Sequence, residues 1–302
     1  MKKRYLIGGG TLLAAFVYYW AQYVEPFRLE RTEPLIPCPR LPASLDGARI
    51  LFLADQHTDE WTRRESGTLE MLRRLPARPD LVVWGGDFLF HFGRTDNALR
   101  FVREAQALLS GIPSFGILGN AEHKLSAART AAFVRDLEAA GVTMLQNRAE
   151  TLPLRGATIT IAGVDDPYYG HDDLNAALAG CSADRFTLLL SHSPQLAYRA
   201  ARGGVDLMLS GHTHGGQVRL PLLGALKTQN PLGRRMDQGL FERDRLRPLL
   251  HGRDVGERFR LYVTRGIGVA PSWRLYWLRP RLLCRPEIAL LRLTRGVRPA
   301  GD

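Results

Sequence analysis

The sequence predicts an α/β fold with mixed central sheets. Short apolar runs recur along the chain, bounded by polar residues or glycine, and helix-like stretches fill several of the intervals between them. One pair of runs, at 151–163, reads instead as a hairpin, so the sheets are not purely parallel. Composition agrees with a packed body: 302 residues, 45% hydrophobic and 24% charged, exclude a disordered, collagen-like or disulfide-stapled chain. The length admits either one domain or two.

Taken in order, the first segment is 1–24. Lys2, Lys3 and Arg4 precede a charge-free run from 5 to 24, long enough to cross a bilayer core as a helix. Tyr18, Tyr19, Trp20 and Tyr23 crowd its far end, as suits a membrane interface, and no small-x-small cleavage site follows. An uncleaved single-pass anchor is expected, with a signal peptide as the rival. The positive-inside rule then puts the N-terminus in the cytoplasm and the body on the periplasmic side of a bacterial inner membrane. A monotopic anchor with the body on the cytoplasmic face is the alternative. Pro26, Pro34, Pro37, Pro39 and Pro42 forbid a continuous helix over 25–47, which reads as an extended linker to a domain spanning 48–302.

Within that domain, 50–54, 81–84 and 114–118 read as buried strands, with helices expected at 66–75, 97–109 and 127–140. After the hairpin come a helix at 172–179 and strands at 186–190 and 205–209. Residues 221–258, rich in Arg, Gly and Pro, read as loops, and 260–264 and 287–293 as further strands. Cys38, Cys181 and Cys284 are far apart without CxxC spacing, which gives neither a zinc knuckle nor a redox pair.

Polar residues able to ligate metals fall just past these strands. Asp55 and His57 follow the first, Asp87 the second, Asn120 the third, His192 the run 186–190, and His212 and His214 the run 205–209. Sites of α/β sheets lie at such carboxyl ends, so five loops converge on one crevice. Carboxylates, imidazoles and an amide carbonyl form a mixed N/O shell suited to Mn²⁺, Fe or Zn²⁺. Asp87, alone in its loop, is the natural bridge between two cations. Singly, each residue has a duller reading as a turn, cap or hydrogen-bonded core group; the ordered set is far more specific.

That set, D-x-H, GD, GN, H and GHTH, resembles the calcineurin-like metallophosphoesterases. The segments SGHTHGGQ (210–217), VTRGIG (263–268) and CRPEI (284–288) are similar to the membrane-anchored bacterial branch that includes UDP-2,3-diacylglucosamine hydrolases of the LpxG type. The resemblance implies a four-layer αββα sandwich around two divalent metals, Mn²⁺ first, with Fe, Zn²⁺ or Mg²⁺ as alternatives. It assigns Asp55, His57 and His214 to one metal, Asn120, His192 and His212 to the other, and Asp87 to both. It implies hydrolysis of a phosphate ester or pyrophosphate by metal-activated hydroxide. Where family members carry a histidine after GN, this chain has Ala121. His123 is either a substitute proton donor or a surface residue at a helix start, and His91 is a weaker substitute.

The formal charge of +11 lies entirely in the C-terminal third, where 199–298 hold 20 Lys and Arg against 7 Asp and Glu. Only four of the 41 cations are lysines; arginine is the better planar partner for phosphate, although genome base composition produces the same usage. Over about 221–286, Arg234, Arg235, Arg265 and Arg274 lie among Trp273, Tyr276 and Trp277, a pattern that binds anionic head groups at a membrane or forms an ordinary solvated rim. The expected partners are thus a bilayer and a lipid-linked phosphate, UDP-2,3-diacylglucosamine (cleaved to lipid X and UMP) being the sharpest case. A nuclease is the second enzyme reading, disfavoured by the anchor; a metal-binding pseudoenzyme that recognises an anionic lipid is the non-enzyme alternative.

Overall fold

In the computed structural model, residues 2–90, 93–270, 275 and 277–296 are described, with backbone only for 2–10. Helix α1 (Lys2–Tyr19) leads through a π-helical turn, Trp20–Val24, into β1 (Glu30–Thr32) and β2 (Leu35–Pro37). Then β3 (Arg49–Leu53), α2 (Arg63–Arg73), β4 (Leu81–Trp84), α3 (Asp96–Leu108), β5 (Ser114–Gly116), α4 (Ala127–Ala139) and β6 (Thr143–Met144) alternate. The second half runs β7 (Arg148–Leu154), β8 (Ala157–Gly163), α5 (Leu174–Leu178), β9 (Thr187–Leu190), α6 (Ala197–Arg202) and β10 (Leu207–Ser210). It ends with β11 (Arg219–Leu220), β12 (Gly224–Ala225), β13 (Gly239–Phe241), α7 (Arg243–Leu249), β14 (Arg260–Val263) and β15 (Glu287–Thr294).

Two mixed sheets result. The first has the order β1-β15-β3-β4-β5-β6, with β2 also on β15; the second is β13-β14-β10-β9-β8-β7. Ile50, Phe52, Leu81 and Val83 of the first face Ile159, Ile161, Leu188 and Leu209 of the second in a shared dry core. On the outer faces, α2, α3 and α4 cover the first sheet through Leu69, Phe101 and Phe133, and α5, α6 and α7 cover the second through Leu174, Ala200 and Leu246. The layers therefore stack helix, sheet, sheet, helix. Apolar strands buried on both faces explain why the runs read as continuous rather than alternating.

Local chemistry sets several boundaries. Helix α2 starts three residues before the sequence reading because Thr62 and Glu65 form a capping box: Thr62 Oγ1 accepts from Arg64 N at 3.1 Å and Glu65 Oε2 from Thr62 N at 2.8 Å. Strands β7 and β8 form the expected hairpin, turning at Arg155 and Gly156, both with positive φ as a tight hairpin turn requires. The region 221–258 is more ordered than loops: β13 and α7 lie in it, and Leu246 and Leu250 enter the core.

The N-terminal expectations need correction. No helix among the described residues is long and apolar enough to cross a membrane. Helix α1 begins on its basic residues, and its charge-free part, 5–19, is only about 22 Å long at 1.5 Å per residue, against a core of about 30 Å. The rest of the apolar run docks on the body instead. Ala21 is buried, its carbonyl accepts from Arg281 N at 2.8 Å, and Trp20 Nε1 donates to Glu25 at 3.0 Å. Nor is 25–47 a linker: β1 and β2 pair with β15, and Ile36, Cys38, Leu41 and Leu45 are buried. Prolines are tolerated there because β1 and β2 are short peripheral strands.

Candidate metal centre

Both sheets deliver polar residues to one edge. Asp55 follows β3, Asp87 follows β4 and Asn120 follows β5; from the other sheet, His192 follows β9, and His212 and His214 follow β10. These strands run parallel within each sheet, so every loop leaves at a carboxyl end. All seven side chains, His57 included, are buried. Ligand atoms of Asp55, His57 and His214 lie within 4.8 Å of one another, as do those of Asp55, Asp87 and His192.

The backbone is strained to achieve this. Asp55, His57, Asp87, His212 and His214 all have φ between 46° and 68°, a left-handed conformation that costs roughly 1–2 kcal/mol for an L-residue. Such strain persists only where the surroundings over-determine it, and it gathers at functional sites. Here loops hold loops: Asp55 N donates to Gly86 O at 2.9 Å, His57 N to Asp87 O at 3.0 Å, and Gly211 N to His192 O at 2.9 Å. A Cβ at Gly119 would collide with Asp87 and the His192 ring, so glycine there is a packing requirement.

A carboxylate that the sequence reading passed over ties two of these loops together. Glu122, fully buried, accepts from the backbone N–H of Asp87 at 3.0 Å, Leu89 at 3.0 Å and Gly119 at 2.8 Å. Beside it, Ala121 N donates to Asp87 Oδ1 at 2.7 Å. Burial and the charge of Asp87 push the Glu122 carboxyl up to about 7. Its position after GNA was its only sequence signal.

Three of the four imidazoles are prepared as neutral ligands. His57 Nδ1 is 2.9 Å from the Leu89 carbonyl oxygen and His192 Nδ1 is 2.8 Å from that of Gly85, contacts that turn each Nε2 toward the centre. Burial holds His57 at about 4 and His212 at about 3, and lowers His214 well below the usual histidine value. His192 differs: burial opposes its charge, but the Asp87 carboxylate 3.4 Å from Nε2 raises it to about 10. Asp87 mirrors this, since burial works upward but His192 and His57 hold its carboxyl well below the carboxylate range. Burial raises Asp55 to about 7.

Some of these atoms lack partners inside the protein. Asn120 Oδ1 and His212 Nε2 are buried without a hydrogen bond, each a deficit of about 1–3 kcal/mol, while His192 Nε2 meets the Asp87 carboxylate at 3.4 Å. His57 Nε2 and His214 Nε2 face each other at 3.1 Å between stacked rings. Divalent cations remove these deficits together, and an N/O donor set without thiolate suits them. The residues present therefore fit bound metal.

The remaining expected residues are more scattered. His123 places Nε2 2.6 Å from Asp165 Oδ1 and stacks on His171 at 4.2 Å; burial disfavours its charge, and the Asp165 hydrogen bond outweighs this and raises it. His91 and Arg274 lie outside the described residues. Arg265 pairs with Glu30 at 3.0 Å and Glu287 at 3.5 Å, while Arg234 and Arg235 are exposed. Two neighbours of the ligands went unassigned. Arg281, fully buried, has Nη2 3.4 Å from His214 Nδ1 and donates to Gly268 O at 2.6 Å. The Tyr168 ring lies 4.9 Å from that of His212, its loop pinned by Asp166 accepting from the backbone N–H of Tyr168 and Tyr169.

Comparison with known proteins agrees with this geometry. Residues 48–216 match the family model of the calcineurin-like phosphoesterases. The chain is 30% identical over 288 residues to the metallophosphoesterase YkuE of Bacillus subtilis, covering 95% of this chain and 93% of the relative. It is 30% identical to the phosphodiesterase YaeI of Escherichia coli, over 81% of this chain and 82% of the relative. It is 26% identical to the UDP-2,3-diacylglucosamine pyrophosphatase LpxG of Chlamydia trachomatis, over 93% and 95%. With over half its length matched by the family model and a relative similar nearly end to end, the chain belongs to the calcineurin-like phosphoesterases, hydrolases of phosphoric esters.

Proposed function

We propose that the protein is a membrane-associated phosphodiesterase or pyrophosphatase with a dinuclear centre, acting on a lipid-linked phosphate. Asp55, His57 and His214 hold one cation, Asn120, His192 and His212 the other, and Asp87 serves both. The observation that carries this reading is the convergence of buried ligand atoms, Asp55, His57 and His214 in one group and Asp55, Asp87 and His192 in another, beside the partnerless Asn120 Oδ1 and His212 Nε2. Mn²⁺ is the first candidate, and bound cations supply Lewis acidity toward a phosphate ester. The chain's own part is to hold donors rigid through Glu122 and to exclude competing protons by burying His57, His212 and His214. His123, whose charged form the Asp165 hydrogen bond favours, is the proton donor to the leaving oxygen in this reading.

UDP-2,3-diacylglucosamine, cleaved to lipid X and UMP, is the leading specific substrate, supported by similarity to LpxG along most of both chains. Such a nucleotide-linked lipid is met at the cytoplasmic face of the inner membrane. Attachment there in the plane of the bilayer, through α1 with exposed Leu12, Leu13 and Phe16, suits that substrate. The test loads purified protein with Mn²⁺ and offers an aryl phosphodiester, UDP-2,3-diacylglucosamine and single-stranded DNA. The first two are expected to be cleaved and Asp87→Ala to lose at least about 10³-fold in kcat/KM, since an electrostatic centre supplies most of the rate. Undiminished hydrolysis by Asp87→Ala rejects the dinuclear centre, and preference for DNA rejects the lipid substrate.

A further inference from the structure

We infer that the β11–β12 hairpin is a membrane-inserting tip that seats the metal centre against an anionic lipid surface. This rests on the reading that the substrate is met at a membrane. The hairpin pairs Arg219 with Ala225 and Leu220 with Gly224, leaving Pro221, Leu222 and Leu223 as its turn. Leu220, Leu222, Leu223 and Leu226 are all exposed, Leu222 completely. Leu222 also has a φ of 66°, where glycine, asparagine or aspartate fits with less strain. A leucine in that conformation, packed on nothing in its own fold, serves a contact outside it.

The hairpin is rooted in the metal loop. It begins five residues after His214, Arg219 Nη1 donates to Gly215 O at 2.8 Å, and Gly216 packs against Ala225 so closely that a Cβ would not fit. Its flank continues into other exposed apolar groups. Arg219 N donates to Leu282 O at 2.9 Å, next to exposed Leu283, and Gln22 Nε2 donates to Trp277 O at 2.6 Å, joining exposed Trp277 to the end of the N-terminal helical segment. Cations lie at the base of the hairpin: Lys227 follows β12 by two residues, Arg234 Nη1 donates to Ala225 O at 3.4 Å, and exposed Arg235 follows Arg234 in the chain. A convex apolar tip with a cationic collar matches hydrocarbon beneath anionic head groups. A protein groove would not call for that collar.

The test places an environment-sensitive fluorophore on Leu222→Cys in the full chain with Cys181→Ser, the other cysteines being buried. Vesicles of phosphatidylglycerol and phosphatidylethanolamine are expected to raise emission several-fold, with quenching by nitroxide lipid, and to leave a label on Ala139→Cys of α4 unchanged. Leu222→Asp with Leu223→Asp is expected to weaken vesicle binding at least about tenfold, given the apolar area withdrawn. Aspartate accepts the left-handed backbone, so the fold is not at risk, and aryl phosphodiester hydrolysis in solution stays unchanged. A label at 222 that remains in water while the protein floats with vesicles overturns the proposal, as do equal responses at 222 and 139. Insertion at 222 in a protein that cleaves no ester supports the hairpin while rejecting the catalytic reading.

Discussion

Replacing Glu122 tests whether the metal loops are held by one buried carboxylate. In Glu122→Ala, the N–H groups of Asp87, Leu89 and Gly119 lose their acceptor in the interior. At about 1–3 kcal/mol per orphaned donor, less what entering water restores, the loss is roughly 3–6 kcal/mol. Relief of repulsion with Asp87, which together with burial pushes Glu122 up to about 7, offsets a little of this. Glu122→Gln keeps the shape; its amide oxygen still serves Asp87 N and Gly119 N, but its amide nitrogen confronts Leu89 N, for about 1–3 kcal/mol. An unfolding entropy of about 2.1 cal/mol/K per residue converts these to Tm falls of roughly 5–10 °C and 2–5 °C. Thermal unfolding by circular dichroism in chelator measures both, and Mn²⁺ titration calorimetry should show weaker binding in the same order. An alanine variant within 1 °C of the parent and with unchanged Mn²⁺ affinity refutes the reasoning.

His123→Gln should lower kcat about 100-fold for a poor leaving group and little for p-nitrophenolate; equal loss on both removes it as a proton donor. Gly119→Ala should displace Asp87 and weaken Mn²⁺ binding at least tenfold, read by calorimetry, because its Cβ has no room beside Asp87 and His192. The metal-free protein should lose stability as pH rises from 7 to 9. His192, raised to about 10 from 6.5, keeps a proton that the unfolded chain has released, so its contribution is complete below 6.5 and falls by about 1.4 kcal/mol per pH unit above it. Asp87→Asn should flatten that slope, as denaturant midpoints across the range would show.

Much of the site was legible because its ligands sit at the ends of apolar strands. An apolar run of four or five residues followed by Asp, Asn or His announces both the strand and the loop, and chain order then aligns five loops. Glu122 escaped because a buried carboxylate that accepts backbone N–H groups looks, in sequence, like any glutamate at a helix start. Arg265 was read with the basic rim but is neutralised by Glu30 and Glu287, and Arg281, which carried no assignment, is wholly buried beside His214. The apolar run after Arg4 misled for a related reason: hydropathy counts residues but not which of them, here 20–24, dock on the body.

Periodicity and strand-end chemistry in the chain alone determined the α/β class, the hairpin at 151–163 and the polar residues that follow the strands, since these depend on neighbours within a few residues. Tertiary structure decided the rest. It turned the proline-rich 25–47 into edge strands, because β15 returned to pair with them. It forced five candidate ligand residues into left-handed backbone and left Asn120 Oδ1 and His212 Nε2 buried without partners. It also separated arginines that bind carboxylates from those that face solvent. Each of these outcomes depends on contacts between residues far apart in the chain, and local pattern does not encode which distant partner arrives.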